Sequence, residues 1–188
     1  MGLQLVICVE ANKSSKSDYI YIKDTIERFF HIGGSGIRLS PVYMNGKGNY
    51  RSKGVQRSIE ELKKKYRAAS SRNCTVVIYC FDTDDYDSKP EDLQFFEEAE
   101  KFCKKQGCEI VWFCRTVEEV YIGQKISDKQ KTHRAEDFSA RHMIDKMDKE
   151  KLRAGSFQTG RSNLCLVLEK YLGIRNNRYN QQQILQRI

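Results

Sequence analysis

Four aspartates stand within six residues, Asp82, Asp84, Asp85 and Asp87, directly after the apolar run 74–81 (Cys-Thr-Val-Val-Ile-Tyr-Cys-Phe). Like charges set so close together repel unless a cation sits among them or water separates them. Hard carboxylate oxygens suit Mg²⁺ or Mn²⁺, so the cluster reads either as a metal site or as a solvated acidic loop. A further acid, Glu10, ends another apolar run at 3–9 (Leu-Gln-Leu-Val-Ile-Cys-Val). Lys13 follows shortly after and is a cation able to donate to a phosphoryl oxygen.

The elements that must hold these groups follow from periodicity. Residues 3–9 and 74–82 are near-continuous β-formers and read as buried strands. Residues 37–44 and 108–114 read as two more strands, the former an edge strand because of Pro41. Helices are expected from Ser17 or Asp18, where either side chain can cap free N–H groups, to Gly33-Gly34, and over 55–69 on the stripe Val55, Ile59, Leu62 and Tyr66. A third starts at Pro90, with Glu91 and Asp92 in its first turn, and ends at Gly107. Residues 45–53 read as a mobile loop. The alternation of strands and helices to Cys114 implies a parallel sheet with right-handed crossovers and helices on both faces.

In such a sheet, sites lie at the carboxyl ends of the strands. With a strand order 2-1-3-4, Glu10 and Asp82 end neighbouring strands about 5 Å apart. Asp82 and Asp84, two apart, are expected on one side of the chain. Glu10, Asp82 and Asp84 are therefore the candidate metal ligands, and with Lys13 the candidate catalytic residues. His31, His133 and His142 lie at no predicted strand end and are poor candidates.

Beyond Cys114 the pattern weakens. A short helix is expected over 116–122, a basic linker over 124–134, a helix over 135–152 and another from Ser162 to Leu172, before a polar tail from Gly173. The division expected is a core of 1–122 and a basic, helical extension of 123–188.

The net charge is +8, unevenly placed. Residues 51–73 carry eight Lys or Arg against Glu60 and Glu61, whereas residues 82–100 carry nine acids and one lysine. This suits a polyanion approaching an acidic pocket, or is plain solubility charge. Seven cysteines without a CxxC pair, and no apolar run of ~20 residues, point to a cytosolic protein with reduced thiols and no membrane span.

A glutamate at one strand end (Val9-Glu10) followed by D-x-D at a later one (Phe81-Asp82-Thr83-Asp84) resembles the Toprim domain over roughly residues 3–114. Within it, Glu10-Ala-Asn-Lys13-Ser14-Ser15 with Tyr19 and Tyr21 is most similar to the compact RloB/OLD-type nucleases of bacterial anti-phage systems. Ala11 stands where those carry Gly, and Ser15 where they carry a second acid. The resemblance implies a three-layer Rossmann-like fold with a four-stranded parallel sheet and Mg²⁺- or Mn²⁺-dependent cleavage of phosphodiester bonds in tRNA, other RNA or DNA. It also implies a further glutamate after the fourth strand, for which Glu119 is preferred over Glu118. One of Lys125, Lys129 or Lys131 is the lysine such nucleases bring to the metal. A toxin-like effector held by an ABC-type or other ATPase, or a homodimer, is the setting it implies.

Lys63, Lys64 and Lys65 with the 45–53 loop are expected to grip a nucleic-acid backbone, and Arg161 at a helix start to hold another phosphate. Two rival readings stand beside this one. A phosphatase of the haloacid dehalogenase type also uses D-x-D, but places its nucleophilic aspartate on the first strand, where this chain has Glu10. A non-catalytic module binding metal, nucleic acid or protein is the other.

Overall fold

The computed structural model describes residues 2–30, 32 and 36–173. The strands β1 (Leu3–Val9), β2 (Ile37–Tyr43), β3 (Cys74–Asp82) and β4 (Glu109–Phe113) form one all-parallel sheet in the order β2-β1-β3-β4. The helices are α1 (Ser17–Phe30), α2 (Lys53–Ala69), α3 (Pro90–Gln106), α4 (Val117–Ile122), α5 (Asp128–Ala140) and α6 (Leu164–Glu169). They cover both faces, giving an α/β, Rossmann-like three-layer fold. β1 is buried along its whole length and pairs on both sides, which explains its unbroken apolar sequence. β2 is an edge strand, where Pro41, lacking an N–H, is tolerated.

Alternation along the strands feeds two cores. Leu5, Ile7, Val9, Ile78, Cys80 and Phe113 pack with α1, α4, α5 and α6. Val6, Cys8, Val77, Tyr79, Phe81 and Trp112 pack with α2 and α3. Each large side chain buried here contributes roughly 1.5–3 kcal/mol. Gly107 closes α3 in the left-handed conformation (φ 65°), with its N–H on Lys104 O. All seven cysteines are free, and among the described residues no helix is long and apolar enough to cross a membrane.

The segment 45–53 is not an open loop. Lys47–Arg51 forms a 3-10 helix whose Tyr50 is buried against Tyr79, Phe81, Phe95 and Phe102, with ring centroids 5.2–6.4 Å apart. Each edge-to-face pair adds about 0.5–1.5 kcal/mol, which anchors the segment to the sheet. The expected basic linker also folds in part, because α5 begins at Asp128. The helix expected over 135–152 stops at Ala140: His142 takes a left-handed φ of 51°, and two 3-10 turns follow, Met143–Lys146 and Lys149–Leu152. Those turns still bury Ile144 and Leu152, so the apolar spacing served packing without a continuous helix. The readings of Gly33-Gly34, His31 and the tail after Gly173 lie outside the described residues.

Residues 161–163 close the outer edge of β4. Cys114 N–H donates to Arg161 O (2.8 Å), and Ser162 Oγ donates to Trp112 O (2.6 Å). Asn163 accepts from Trp112 N–H (2.9 Å) and donates to Ile110 O (3.2 Å). The edge is thus satisfied by the chain's own extension rather than left open. That extension also supplies Phe138, Leu152, Leu164 and Leu168 to the core on the α1 face.

Candidate metal and active site

β1 and β3 are neighbours in parallel register, with Cys8 opposite Tyr79, so their carboxyl ends bring Glu10 beside Asp82. Glu10 Oε1 accepts a hydrogen bond from the Asp82 N–H at 2.8 Å. Asp82 Oδ1 accepts one from Val117 N–H at 2.9 Å, at the start of α4. The second oxygen of each carboxylate makes no hydrogen bond among the described residues. Both groups retain some accessible surface yet have protein on nearly every side. Burial therefore pushes the Glu10 carboxyl up to about 8. Asp18 and Asp84 push the same way, while the Asp82 N–H and Lys47 oppose them. Burial, then Glu10, Asp18 and Glu118, likewise hold Asp82 well above the usual carboxylate range.

Two acids that the sequence did not single out as ligands complete the cluster. Asp18, read only as a helix cap, accepts from Ala11 N–H through Oδ2 (2.9 Å) and folds the 11–17 loop back toward Glu10. Ser15 offers no carboxylate in this segment, and the nearest further acid along the chain is Asp18, in the first turn of α1. Glu118, ranked below Glu119, is the residue of α4 that points inward. It is fully buried and neither oxygen has a hydrogen-bond partner. Burial raises it to about 7, opposed chiefly by Lys131. Lys131 Nζ stands 3.9 Å from Glu118 Oε2. Burial works against its charge, but Glu118, Asp82 and Asp18 outweigh that and hold its pKa up. Behind Glu118 lie Tyr21, whose hydroxyl also has no partner, and Tyr121, with the two rings stacked at 4.9 Å. The surroundings are thus of low polarity; Lys131 serves Glu118, Asp82 and Asp18 and pairs with Asp128 at 3.4 Å, while Lys47 acts on Glu10.

The other candidates are distributed differently. Asp84 adopts a left-handed φ of 48°, which breaks the extended alternation and turns its carboxylate onto Lys47. Asp84 remains within electrostatic reach of Glu10 but does not join Asp82 on one face. Lys47 also holds Asp92 at 2.7 Å. Burial disfavours the Lys47 charge, and the hydrogen bonds to Asp84 and Asp92 more than compensate. Glu119 faces away from the cluster: its carboxylate accepts from Thr116 Oγ (3.0 Å), and its N–H donates to the same Oγ (3.2 Å), which caps α4. Lys13 is exposed, and among the described residues its side chain makes no hydrogen bond or ion pair.

Lys63, Lys64 and Lys65 precede Tyr66, whose carbonyl accepts from Asn73 beside Gly2. They therefore lie on the second half of α2, which runs toward the amino-terminal end of β1, with Lys63 near enough to Cys8 to act on its thiol. Arg161 is exposed, but Ser162 and Asn163 beside it are occupied by the β4 edge and do not offer a phosphate cradle.

Among the described residues, no three acidic, histidine or cysteine side chains stand close enough to enclose an ion as a protein cage. Mg²⁺ does not require one: it keeps several waters and is commonly held by one or two carboxylates and substrate phosphate. Glu10 and Asp82, each with one oxygen fixed by a backbone N–H and one unpartnered, fit that donor set. The orphaned oxygens of Glu118 and the excess of carboxylate over cation agree with it. No protein-family model, no curated protein and no solved structure matches the chain.

Proposed function

We propose that the protein is a divalent-metal-dependent nuclease, with Glu10 and Asp82 as the residues that hold Mg²⁺ or Mn²⁺. The observation that carries this is the pairing of two carboxylates at the ends of adjacent parallel strands, each with one anchored and one free oxygen. The chemistry supplied when the metal is bound is charge neutralisation at a phosphate and a lowered pKa for water.

The chain's own residues have separate roles in this reading. Asp18 and the Val117 N–H fix the loop and the carboxylate geometry. The Lys131 ammonium donates to a non-bridging phosphate oxygen. Glu118, raised to about 7 by burial, stands 3.9 Å from Lys131 and helps to hold that ammonium charged and in place. Asp84 is held back by Lys47 and acts on Glu10 through its field alone. Lys13, exposed at the rim, remains a candidate phosphate contact.

The Toprim resemblance supports the same reaction class through Glu10 and the D-x-D of residues 82–84. The wider expectation of an anti-phage effector controlled by an ATPase has that resemblance alone for support. A non-catalytic binding module is the second reading, favoured by the lack of a three-acid cage among the described residues. Incubating the purified chain with single-stranded RNA, tRNA and DNA in Mg²⁺, Mn²⁺ or EDTA separates the two. Metal-dependent cleavage lost in Glu10→Gln supports the nuclease. Binding without cleavage under every metal supports the module.

A further inference from the structure

Two concave regions flank α4 on the side away from the carboxylates. One, about 360 Å³, lies between α4, α5 and the 3-10 turns, with Ile122, Met143 and Met147 in its wall. The other, about 280 Å³, lies between the end of α4 and residues 159–161. Lys151 lines both. Around them stand Arg134, Lys146, Lys151 and Arg161, all exposed and none in an ion pair among the described residues.

The acids at the same walls are already engaged. Asp137 faces Arg141 and His133, each at 3.8 Å. Asp148 accepts from Glu150 N–H (2.9 Å), and Glu119 accepts from Thr116. The walls carry five basic residues, Arg134, Arg141, Lys146, Lys151 and Arg161, against three acids, Asp137, Asp148 and Glu119, a net excess of two positive charges beside apolar surface, of which Met143 is 37% exposed. The groove shares α4 and α5 with the candidate site. Arg134 lies one turn of α5 beyond Lys131, and Glu118 and Glu119 are consecutive, the first facing the carboxylates and the second lining the smaller cavity.

We infer that this bipartite groove is a binding track for a single-stranded polynucleotide, with phosphates on Arg134, Lys151 and Arg161 and a base against Ile122, Met143 and Met147. Charge complementarity selects a polyanion. Two small concave pockets, rather than a flat basic face, select an unstacked strand over a duplex. The groove names the substrate face of the proposed nuclease and in that sense rests on that reading.

The test is fluorescence anisotropy in EDTA, where binding is read without cleavage, using a labelled single-stranded RNA, the same sequence as DNA, and its duplex. The wild type should bind both single strands more tightly than the duplex. The triple variant Arg134→Gln/Lys151→Gln/Arg161→Gln should lose about tenfold or more in affinity, and its log–log salt slope should fall by about 2, at ~0.7 per single-strand phosphate contact. These side chains are exposed, and an unchanged thermal melt confirms that the variant folds. Unchanged affinity and slope in the triple variant overturn the groove, as does a wild-type preference for duplex. RNA and DNA arms that differ identify which strand the track takes. If the groove dependence holds and no metal supports cleavage, the groove stands and the nuclease reading fails. If cleavage occurs and the triple variant binds and cleaves as the wild type does, the reverse is true.

Discussion

Glu10 Oε1 and the backbone N–H of Asp82 lie 2.8 Å apart, so the acid ending β1 is fixed to the acid ending β3 by a hydrogen bond that leaves Asp82's own carboxylate free to reach α4. This bond stabilises the ionised form of Glu10, but not enough to overcome burial among acids, and its pKa stays near 8. The metal-free protein therefore favours the protonated form of these acids near neutral pH, where a cation would let them ionise.

Neutralising one member should consequently stabilise the metal-free fold while removing function. Glu10→Gln and Asp82→Asn are each expected to raise apparent stability at pH 8 by about 1–2 kcal/mol in EDTA, and to abolish metal-dependent cleavage. Chemical denaturation checks the first and a gel assay the second. Lower stability in both variants would mean that the carboxylates are already compensated.

The pH dependence follows in sign from the same groups. The folded-state pKa values of Glu10 (about 8) and Glu118 (about 7) are raised above their ordinary value of 4.5. Protons bound by the folded state stabilise it fully below about 4.5, and that contribution is lost as pH rises through 7 to 8. In EDTA, the melting temperature of the wild type relative to Glu10→Gln should therefore fall between pH 5.5 and 8.5. Added Mn²⁺ should cancel the fall. A flat difference across that range would contradict the assignment.

Lys47 offers a separate check. Its ammonium serves Asp84 and Asp92 together and lies 5.0 Å from the centroid of the Phe95 ring. Lys47→Met should destabilise the protein by about 1 kcal/mol, the figure being small because the pair is partly exposed and screened. In a double-mutant cycle with Asp84→Asn, the loss should be mostly shared. Full additivity would show that the two do not act as a unit.

The extension should prove inseparable from the core. Phe138, Leu152, Leu164 and Leu168 share one apolar cluster with Leu5, Ile7 and Ile78, and Ser162 with Asn163 closes the edge of β4. A chain ending at residue 122 should expose both and aggregate, as size-exclusion chromatography would report. A soluble monomer with a cooperative melt would show that the division at 122 is a true domain boundary.

How far the sequence discloses this arrangement depends on the range of the forces involved. The strands, the β2-β1-β3-β4 order and the Glu10–Asp82 pairing are legible because an apolar run ending in an acid is local information, and parallel crossovers leave few arrangements. Asp18 was hidden because its place at a helix start reads as a cap, whereas its carboxylate accepts from Ala11 N–H and Ser17 Oγ and turns the 11–17 loop. Glu118 and Glu119 are indistinguishable by composition. The Thr116 cap decides between them by taking Glu119 outward, and Thr116-x-x-Glu119 was the available signal. Asp84 was misplaced because alternation presumes an extended backbone, whereas its φ is 48°. Lys47 could be paired with Asp84 only once Tyr50 had fixed the 3-10 turn over the sheet.

Calorimetric titration of the purified protein with Mn²⁺ tests the central claim most directly, because it asks for the metal site without needing the right substrate. The wild type should bind Mn²⁺ saturably at pH 7.5 and release protons as it does so, since Glu10 must ionise. Asp82→Asn and Glu10→Gln should each weaken binding by at least tenfold, with Lys63→Gln as an unaffected control. No saturable binding by the wild type, or equal binding by all four proteins, would contradict the account.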